Sequence, residues 1–562
     1  MPPTTETQIL VVGAGPTGLF TAAELRRHGV SCRIVDRGDG STDQARASGI
    51  QARTLEILDA LGIVERFLRE GVPCAETIVY APPRTRLKHI DDSELETPFP
   101  FTLDLEQSRT ERRLEGHLAR LGTEVERRVA LADLQHAEEG VVAVLQHACG
   151  RDETLRAAYL IGCDGAHSFV RQRLRVSFEG EDYATDFLIA DIRIDWALPN
   201  DRIAFFLAPD GMFIYAPLAD GRGLLLADLG SGEEELPRGQ PSLDEIQAIV
   251  DRRGPGGTVR NPRWKAYFRA HCRQAERYRV GRVFLAGDAA QVQSPLGGQG
   301  MNSGIQDGYN LAWKLALVLG RRAPDTLLES YHLERHRAGQ DSLALSDYLH
   351  HTVLREEPHR SLSDSLRRKL AVLLAGQPAV QRSLRRTHAE LNVSYRHSPI
   401  VGQHRRLIPL PGDGDPGLLG WHDFGAAPHA GDRALDARVL RHPGGGPVRF
   451  FHALRSTSHH LVLFAGAEAS EQTYRGLASI ADAVRRTHAE DIDASLVSIH
   501  APPAGLPDFM QVLIDPSTDL HHRYGARARC LYLIRPDGYV GFRSQPADLE
   551  ALSSYLTGLF VA

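Results

Sequence analysis

The clearest chemistry in this sequence lies in one stretch, Gly281 to Asn302, which reads GRVFLAGDAAQVQSPLGGQGMN. An apolar strand predicted over Val283 to Ala286 leads to Asp288, and a glycine-rich turn then opens a helix predicted over Asn302 to Leu319. A helix N-terminus presents free N–H groups and about half a positive charge. The turn therefore indicates a site for a negatively charged group, such as the edge of a reduced flavin ring.

A second nucleotide signal stands at the N-terminal end of the chain. A short apolar strand over Gln8 to Val12 runs into Gly13, Gly15 and Gly18, and a helix follows. The first glycine permits a tight turn, the second lets the backbone approach a pyrophosphate, and the third allows close helix–strand packing. Asp36 ends the next predicted strand, about 20 residues further on, which suits an acid that binds ribose hydroxyls. Its charge would repel a 2′-phosphate, so the site favours FAD or NAD over NADP.

Two further motifs agree with these in order and spacing. They are Cys163-Asp164-Gly165-Ala-His-Ser-Phe-Val-Arg171 and Gly287-Asp288, with Arg46 and Gln107 each placed before or at the start of a predicted helix. Together with the N-terminal glycines, they make the chain resemble the class A flavoprotein monooxygenases, the FAD-dependent aromatic hydroxylases related to p-hydroxybenzoate hydroxylase. The resemblance spans nearly the whole chain and is closest to the branch that acts on phenols and polycyclic aromatic natural products.

The resemblance implies an oxidoreductase in which NADPH or NADH reduces FAD and O2 then adds to give a flavin C4a-hydroperoxide. One oxygen atom passes to a phenolic or polycyclic aromatic substrate, and the cofactor supplies the difficult chemistry. Only one dinucleotide-binding glycine motif is visible, so the nicotinamide cofactor is expected to bind transiently. Two alternatives stay open: Baeyer–Villiger oxygenation on the same scaffold, and an FAD-dependent dehydrogenase or redox sensor that does not oxygenate.

The resemblance also assigns roles to residues. The backbone of Pro295 and the side chain of Arg46 are expected at the reaction centre. Tyr215 is expected there as a base for an ionisable phenol, which the resemblance does not assign; neither Tyr215 nor the other candidate, His89, has geometric support in the sequence. The residues expected to bind the cofactor are Gly13, Gly15, Pro16, Thr17, Gly18, Asp36, Arg37, Arg46, Gln107, Val129, Asp164, Asp288, Pro295, Gly298, Gly300, Met301 and Asn302. For Asp164, a purely structural role in a turn remains an alternative.

Alternating polar and apolar residues between Val176 and Arg273 predict antiparallel strands with one exposed face. In the family this sheet binds the substrate. The expected substrate contacts are Phe205, Phe213, Tyr215, Pro295 and Gly297. Aromatic residues in strands are also common in an ordinary core, so a purely structural role for each of them stays open.

One position departs from the family pattern. The family usually has Gly-Asp-Ala-Ala-His, whereas this chain has Gln291 after Ala290. Glutamine donates and accepts hydrogen bonds but does not change charge near neutral pH. A proton relay through that histidine is therefore in doubt here.

The predicted fold is mixed α/β and α+β, with three domains. A Rossmann-like FAD-binding domain with a helical extension takes 1–75, 106–175 and 274–396, and an inserted antiparallel β-sheet substrate domain takes 76–105 and 176–273. Residues 397–562 resemble a thioredoxin-like domain without the CxxC pair, which favours a structural or dimerisation role. A chain of 562 residues exceeds what one hydrophobic core normally supports.

Composition argues against several classes of function. The net charge of −6 and the pI near 6.5 give no electrostatic case for nucleic acid or an anionic membrane. No apolar run approaches the roughly 20 residues that span a bilayer, and Met1 to Thr7 lacks the features of a signal peptide. Six scattered cysteines without CxxC argue against a disulfide framework or a zinc ribbon, and no metal site is expected. We therefore predict a cytoplasmic enzyme whose partner is a small aromatic molecule, and a homodimer is compatible with the resemblance.

Overall fold

The structure is a computed structural model that falls into two compact units. The residues it describes are 4–40, 48–81, 85–231, 239–294, 297–354, 378–405 and 417–561. Unit 1 comprises Met1–Leu95, Phe99–Ala312 and Arg335–Leu391, and unit 2 comprises Glu96–Pro98, Trp313–Glu334 and Asn392–Ala562. Arg46 and Pro295, two residues expected at the reaction centre, lie outside the described residues.

Unit 1 holds the first nineteen strands of the described residues. They are β1 (Thr4–Val12), β2 (Cys32–Asp36), β3 (Gly49–Ile50), β4 (Val72–Cys74), β5 (Glu76–Ala81), β6 (Thr85–Asp91), β7 (Thr102–Asp104), β8 (Val125–Arg127), β9 (Val129–Ala137), β10 (Gly140–His147), β11 (Asp152–Gly162), β12 (Phe178–Asp195), β13 (Ile203–Ala208), β14 (Gly211–Leu218), β15 (Arg222–Ser231), β16 (Thr258–Ala275), β17 (Arg279–Val280), β18 (Val283–Leu285) and β19 (Gln291–Val292).

Nine α-helices of the described residues belong wholly or partly to unit 1; α7 ends in unit 2 and α8 begins there. They are α1 (Pro16–Arg27), α2 (Ala52–Ala60), α3 (Val64–Leu68), α4 (Gln107–Arg120), α5 (Phe169–Arg173), α6 (Leu243–Arg253), α7 (Gly300–Leu319), α8 (Glu329–Leu354) and α9 (Pro378–His388).

The first large sheet of unit 1 is parallel at its centre. Its order is β17-β18-β11-β1-β2-β8, parallel from β18 to β8, and the antiparallel pair β9 and β10 extends from β11. Strands buried on both faces consist of continuous apolar runs, and Ile9, Leu10 and Val11 of β1 are fully buried. The carboxyl ends of parallel strands meet at one edge of a sheet, where ligands of open α/β sheets bind. That edge carries the turns that follow β1, β2, β11 and β18.

The second large sheet of unit 1 is formed by the inserted segments. Its order is β19-β16-β12-β15-β14-β13-β5-β6, antiparallel except between β13 and β5. One face packs against α6 through a core that includes Leu188, Phe206 and Val250. The other face carries a second apolar cluster that includes Phe187, Ile189 and Leu226. A small sheet of order β3-β7-β4 completes unit 1 among the described residues.

Unit 2 contains a further mixed sheet and five helices of the described residues. Its strands are β20 (Gly402–Arg405), β21 (Arg438–His442), β22 (Pro447–Arg449), β23 (His459–Phe464), β24 (Ile492–Ser498), β25 (Gln511–Ile514), β26 (Cys530–Ile534) and β27 (Val540–Gln545). Its helices are α10 (Gly417–Ala426), α11 (Phe450–Ala453), α12 (Glu471–His488), α13 (Asp519–Arg523) and α14 (Leu549–Leu559).

The sheet of unit 2 has the order β20-β27-β26-β23-β24-β25-β21-β22. The parallel pair β23 and β24 is connected through α12, and the antiparallel hairpin of β26 and β27 precedes the last helix, α14. The fold class predicted from the sequence, including the thioredoxin-like part, is confirmed.

The core of unit 2 also includes residues from α7 and α8. Trp313 and Leu317 belong to the same apolar cluster as β23, α12 and β26. Beside them lies a buried ionic group in which Glu334 accepts hydrogen bonds from Lys314 at 2.8 Å and from Arg535 at 2.7 Å. The contacts thus place 313–334 with the C-terminal segment, whereas the predicted bounds place them in the FAD-binding domain. The three-domain bounds stay a prediction.

Among the helices of the described ranges, none is long and apolar enough to cross a bilayer.

Candidate functional site

The turn after β1 gives its three glycines different surroundings. Gly13 has φ +102°, and a Cβ there would overlap the backbone of Cys163 in the turn after β11. A Cβ at Gly18 would overlap the carbonyl oxygen of Gly13. A Cβ at Gly15 would meet no atom of the described residues within 4 Å. Two glycines therefore permit close packing, and the third faces open space of the kind that a pyrophosphate needs.

The start of α1 is suited to an anion. Pro16 occupies its first turn, which carries no acidic residue, and none of the described side chains caps it with a hydrogen bond to the helix. The free N–H groups of such a turn attract negative charge. Thr17 lies against two glycines, Gly287 and Gly304, so closely that a Cβ at either position would meet its side chain. Thr17 thus packs α1 against the Gly287-Asp288 turn and against α7.

Asp36 at the end of β2 holds the glycine turn as well as offering a carboxylate. One carboxylate oxygen accepts the N–H of Ala14 at 2.7 Å, and the other accepts the N–H of Gly38 at 2.7 Å. The backbone N–H of Arg128 donates to the carbonyl of Gly38, so the start of β9 at the buried Val129 lies beside this turn. The edge that carries Gly13 therefore also carries Asp36 and Val129.

Two further predicted residues have contacts of their own. Arg37 is exposed next to Asp36. Gln107 begins α4 as predicted, and its amide donates to Glu111 at 2.8 Å. No described contact joins Gln107 to Asp36, so its place in a nucleotide site stays a prediction.

In the Gly287-Asp288 turn, the side chain of Asp288 is exposed although its neighbours are buried. Gly287 and Ala289 are buried and Asp288 is exposed. Gly287 has φ +62°, a conformation that favours glycine. A Cβ at Gly300, the first residue of α7, would lie 3.9 Å from a carboxylate oxygen of Asp288. The carboxylate therefore stands beside the N-terminus of α7, at the edge predicted for the cofactor.

The Asp164-Gly165 motif forms a tight turn that is linked to the Gly287-Asp288 turn. Asp164 accepts hydrogen bonds from the Ser168 hydroxyl at 2.5 Å and from the Val170 N–H at 3.1 Å, at the start of α5. Arg171 donates to the carbonyl of Ala289 at 2.9 Å, and its guanidinium lies 3.7 Å from the ring centre of Phe178. Burial lowers the pKa of Arg171. Asp164 thus supports a turn, and its contact with a cofactor stays a prediction.

Asn302 organises the glycine-rich loop at the start of α7. Its carbonyl oxygen accepts the N–H of Gln51, and its amide donates to the carbonyls of Gly49 and Gly298, all at 2.9 Å. The side chain is fully buried. Asn302 therefore joins the loop to the segment that follows Arg46.

The remaining loop residues differ in exposure. Gly297 is buried, Gly298 is exposed with φ +60°, and Gly300 and Met301 are half-buried. The exposed backbone of Gly298 is the part of this loop that could meet a ligand.

The predicted substrate residues do not lie together. Tyr215 and Phe213 are fully buried on the sheet face that packs against α6. Phe205 is paired with Ile214 and lies on the opposite face, because neighbouring strand residues alternate between faces. Burial raises the pKa of Tyr215 to about 12, and its hydroxyl has no hydrogen-bond partner among the described residues. This placement disfavours Tyr215 at the reaction centre and Phe213 as a substrate contact.

Gln291, which replaces the usual histidine, is 3% exposed. Its amide donates to the Ser303 hydroxyl at 2.8 Å, and its carbonyl oxygen has no partner within the described part of the chain. A Cβ at Gly339 of α8 would overlap that oxygen. The side chain of Gln291, at the start of β19, is therefore enclosed by α7 and α8.

Reasoning from the sequence missed the buried residues that hold these turns. Asp307 of α7 and Arg335 of α8 form a buried ion pair, and Asp307 also binds the N–H of Gly287. The segment after α9 contributes too, since the carbonyl of Ala389 accepts the N–H of Arg53. The sequence does show a charged residue, Asp307, in the largely apolar helix α7, which could have indicated a buried ion pair. Its partner, Arg335, lies on another helix and could not be identified from the sequence.

Comparisons with known proteins agree with this arrangement. A family model described as "FAD binding domain" matches residues 6–346, more than half of the chain. The chain is 32% identical over 569 residues to 6-methylpretetramide 4-monooxygenase of Streptomyces rimosus, covering 100% of this chain and 95% of the relative. It is 38% identical over 340 residues to rifampicin monooxygenase of Streptomyces venezuelae, covering 60% of this chain and 69% of the relative. The solved structure of aklavinone-11 hydroxylase with FAD and aklavinone aligns with a TM-score of 0.74 at 26% identity and covers 98% of both chains.

Proposed function

Because the chain belongs to the FAD-binding family of flavoprotein monooxygenases, we propose that it hydroxylates a flat, polycyclic aromatic compound laid on the apolar face of its antiparallel sheet. It is an FAD-dependent monooxygenase that uses O2 and NADPH or NADH. Relatives named for rifampicin and for a pretetramide support a large, fused-ring substrate. The apolar cluster on the sheet face opposite α6 is the observation that carries the proposal.

The residues of the sheet edge fit FAD. The open space at Gly15 and the free first turn of α1 suit its pyrophosphate. Asp36 suits the adenosine ribose, and Asp288 suits the ribityl chain. The N-terminus of α7, with Gly298 and Met301, suits the negatively charged edge of the reduced ring. Bound there, reduced FAD would supply the electrons that activate O2.

The apolar face of the sheet suits a planar ligand. Phe187 and Phe268 stack with ring centres 5.5 Å apart and planes at 18°, and Phe205 and Trp264 are partly buried on the same face. Apolar surface removed from water contributes about 25 cal/mol per Å², and aromatic pairs add roughly 0.5–1.5 kcal/mol each. The larger aliphatic side chains of this face are Ile189, Leu207, Ile214, Leu218, Leu224 and Leu226, and Met212 lies among them.

The apolar side chains of this face are suited to orienting the substrate and excluding water. The same face carries Asp191 and Arg222, which form an ion pair with each other at 2.6 Å. No base is required from the sheet if the substrate carries an electron-rich ring with its own acidic phenol. This division of labour matches a family in which the cofactor carries the oxygen chemistry.

The test is incorporation of labelled oxygen. The purified enzyme is mixed with NADPH or NADH, ¹⁸O2 and a panel of fused-ring phenols, and products are analysed by mass spectrometry. One ¹⁸O atom in a hydroxylated product, with substrate-dependent oxygen uptake, supports the proposal. An ester or lactone product indicates Baeyer–Villiger chemistry. Oxidation of the nicotinamide without label in any product refutes oxygenation of these compounds.

Two variants of the sheet separate the two faces. Phe268→Leu changes the proposed substrate face and should raise KM for the accepted substrate with little change in FAD affinity. Phe213→Leu changes the face that packs against α6 and should lower the melting temperature with little change in KM. The reverse pattern would place the substrate on the α6 face. The homodimer and the cytoplasmic location stay predictions.

A further inference from the structure

A buried ion pair lies directly behind the Gly287-Asp288 turn. Asp307 of α7 is fully buried and Arg335 of α8 is 1% exposed. The guanidinium Nε donates to Oδ1 of Asp307 at 2.6 Å, and Oδ2 of Asp307 accepts the N–H of Gly287 at 2.9 Å. The backbone of the turn is thus bound to a carboxylate that is itself held by a charged partner.

The same pair reaches the other side of the turn. Nη2 of Arg335 donates to the carbonyl oxygen of Ser303 at 3.1 Å and to its hydroxyl at 3.2 Å. That hydroxyl accepts the amide of Gln291 at 2.8 Å. Gly287 and Gln291 flank Asp288, so both ends of this short segment are tied to one ion pair.

Stability alone does not account for a charged pair at this position. Moving two charges out of water costs about as much as their attraction returns, and apolar replacements of buried pairs are often neutral or stabilising. Burial raises the pKa of Asp307, and the adjacent Arg335 opposes this by favouring the carboxylate. A charged acceptor binds an N–H about twice as strongly as a neutral one. The pair is therefore suited to holding the N–H of Gly287 in one fixed place.

We propose that Asp307 and Arg335 are positioning residues for FAD: they hold the segment from Gly287 to Gln291 so that the Asp288 carboxylate meets the cofactor. The ion pair does not touch FAD itself and acts through Asp288. This inference rests on the proposed role of Asp288 in binding FAD. FAD binding would then require two buried charged residues, Asp307 and Arg335, that belong to none of the cofactor motifs.

The variant Asp307→Asn keeps the size of the side chain and removes its charge. A matched control is Asp228→Asn, because Asp228 is also buried, accepts a backbone N–H from Met212 at 2.5 Å and binds Arg253 at 3.2 Å. We expect both variants to lower the melting temperature of the apoprotein. Only Asp307→Asn should raise the Kd for FAD, by tenfold or more, with a shifted flavin absorbance spectrum.

Equal changes in the Kd for FAD in both variants would mean that the pair is merely structural, and a change below twofold in Asp307→Asn would also overturn the proposal. Should Asp307→Asn fail to fold, Arg335→Lys keeps the positive charge but not the forked contact with Ser303. That variant should raise the Kd for FAD by a smaller factor, and an unchanged Kd would count against the proposal.

A double-mutant cycle tests whether the pair acts through Asp288. In the background of Asp288→Ala, the additional change Asp307→Asn should leave the Kd for FAD nearly unaltered. Full additivity of the two effects would refute positioning through Asp288 while leaving the proposed function intact. Normal FAD binding by Asp288→Ala itself would overturn both the proposed role of Asp288 and this inference.

Discussion

Gly15 and Gly18 stand in the same turn, yet the structure gives them opposite surroundings. A Cβ at Gly15 meets no described atom within 4 Å, and its φ of −73° is one that any residue adopts. A Cβ at Gly18 overlaps the Gly13 carbonyl oxygen and lies 3.2 Å from Cβ of Cys163. Substitution by alanine should therefore raise the free energy of unfolding of the apoprotein at Gly15 and lower it at Gly18.

The magnitudes follow from these surroundings. Gly15→Ala should stabilise the apoprotein by about 0.4–1 kcal/mol, because alanine restricts the unfolded chain without strain in the folded one. Its methyl group occupies the space assigned to the pyrophosphate, and loss of one charge-assisted hydrogen bond costs about 1.5–3 kcal/mol, or roughly 10- to 150-fold in Kd. Gly18→Ala should destabilise the apoprotein by about 1–3 kcal/mol through overpacking.

The assay uses apoprotein from which flavin has been removed. Urea unfolding followed by circular dichroism gives the free energy of unfolding, and quenching of flavin fluorescence on titration gives the Kd for FAD. Gly15 does not face the pyrophosphate space if Gly15→Ala destabilises the apoprotein as much as Gly18→Ala does and leaves the Kd for FAD unchanged.

Three further substitutions probe the site. Asp288→Ala removes the exposed carboxylate beside α7 and should weaken FAD binding by about 1.5–3 kcal/mol; unchanged flavin occupancy after gel filtration would contradict its placement. Gln291→His should leave FAD bound, because an imidazole can also donate to Ser303, and loss of flavin absorbance from the purified variant would count against this. Burial raises the pKa of Glu390 from 4.5 to about 8. Between these two pH values the folded chain keeps a proton that the unfolded chain releases. The free energy of unfolding contributed by this group therefore falls as the pH rises from about 4.5 to 8. The melting temperature of Glu390→Gln minus that of the wild type should therefore increase as the pH rises through that range and level off above it. A difference that stays constant with pH would refute the pKa shift.

The sequence predicted most of the local elements well. As predicted, β2 ends at Asp36 and α4 begins at Gln107. Apolar runs, glycines and helix starts depend on neighbours in the chain, so a pattern of a few residues reveals them. The start of α7 was less accurate, since the helix begins at Gly300 and not at Asn302.

The choice of sheet face required the tertiary structure. Alternation shows that Phe205 and Phe206, or Ile214 and Tyr215, belong to opposite faces of their own strand. It is the pairing of Phe205 with Ile214 that places Phe205 and Tyr215 on opposite faces, and alternation does not say which face packs against α6. A shift of one residue in strand pairing would exchange the two faces. The register between distant strands, which no local pattern fixes, decided that Tyr215 is a core residue.

The sequence by itself determined the class of cofactor, because glycines and an acid at fixed spacing meet a nucleotide through local turns. Only the tertiary structure decided what holds those turns in place. Asp307, Arg335 and Arg171 join turns that are far apart in the chain, and their partners are mostly backbone atoms of any residue type. Hydrogen bonds to backbone leave no mark on the sequence of the partner, so these supports become visible only when the chain is folded.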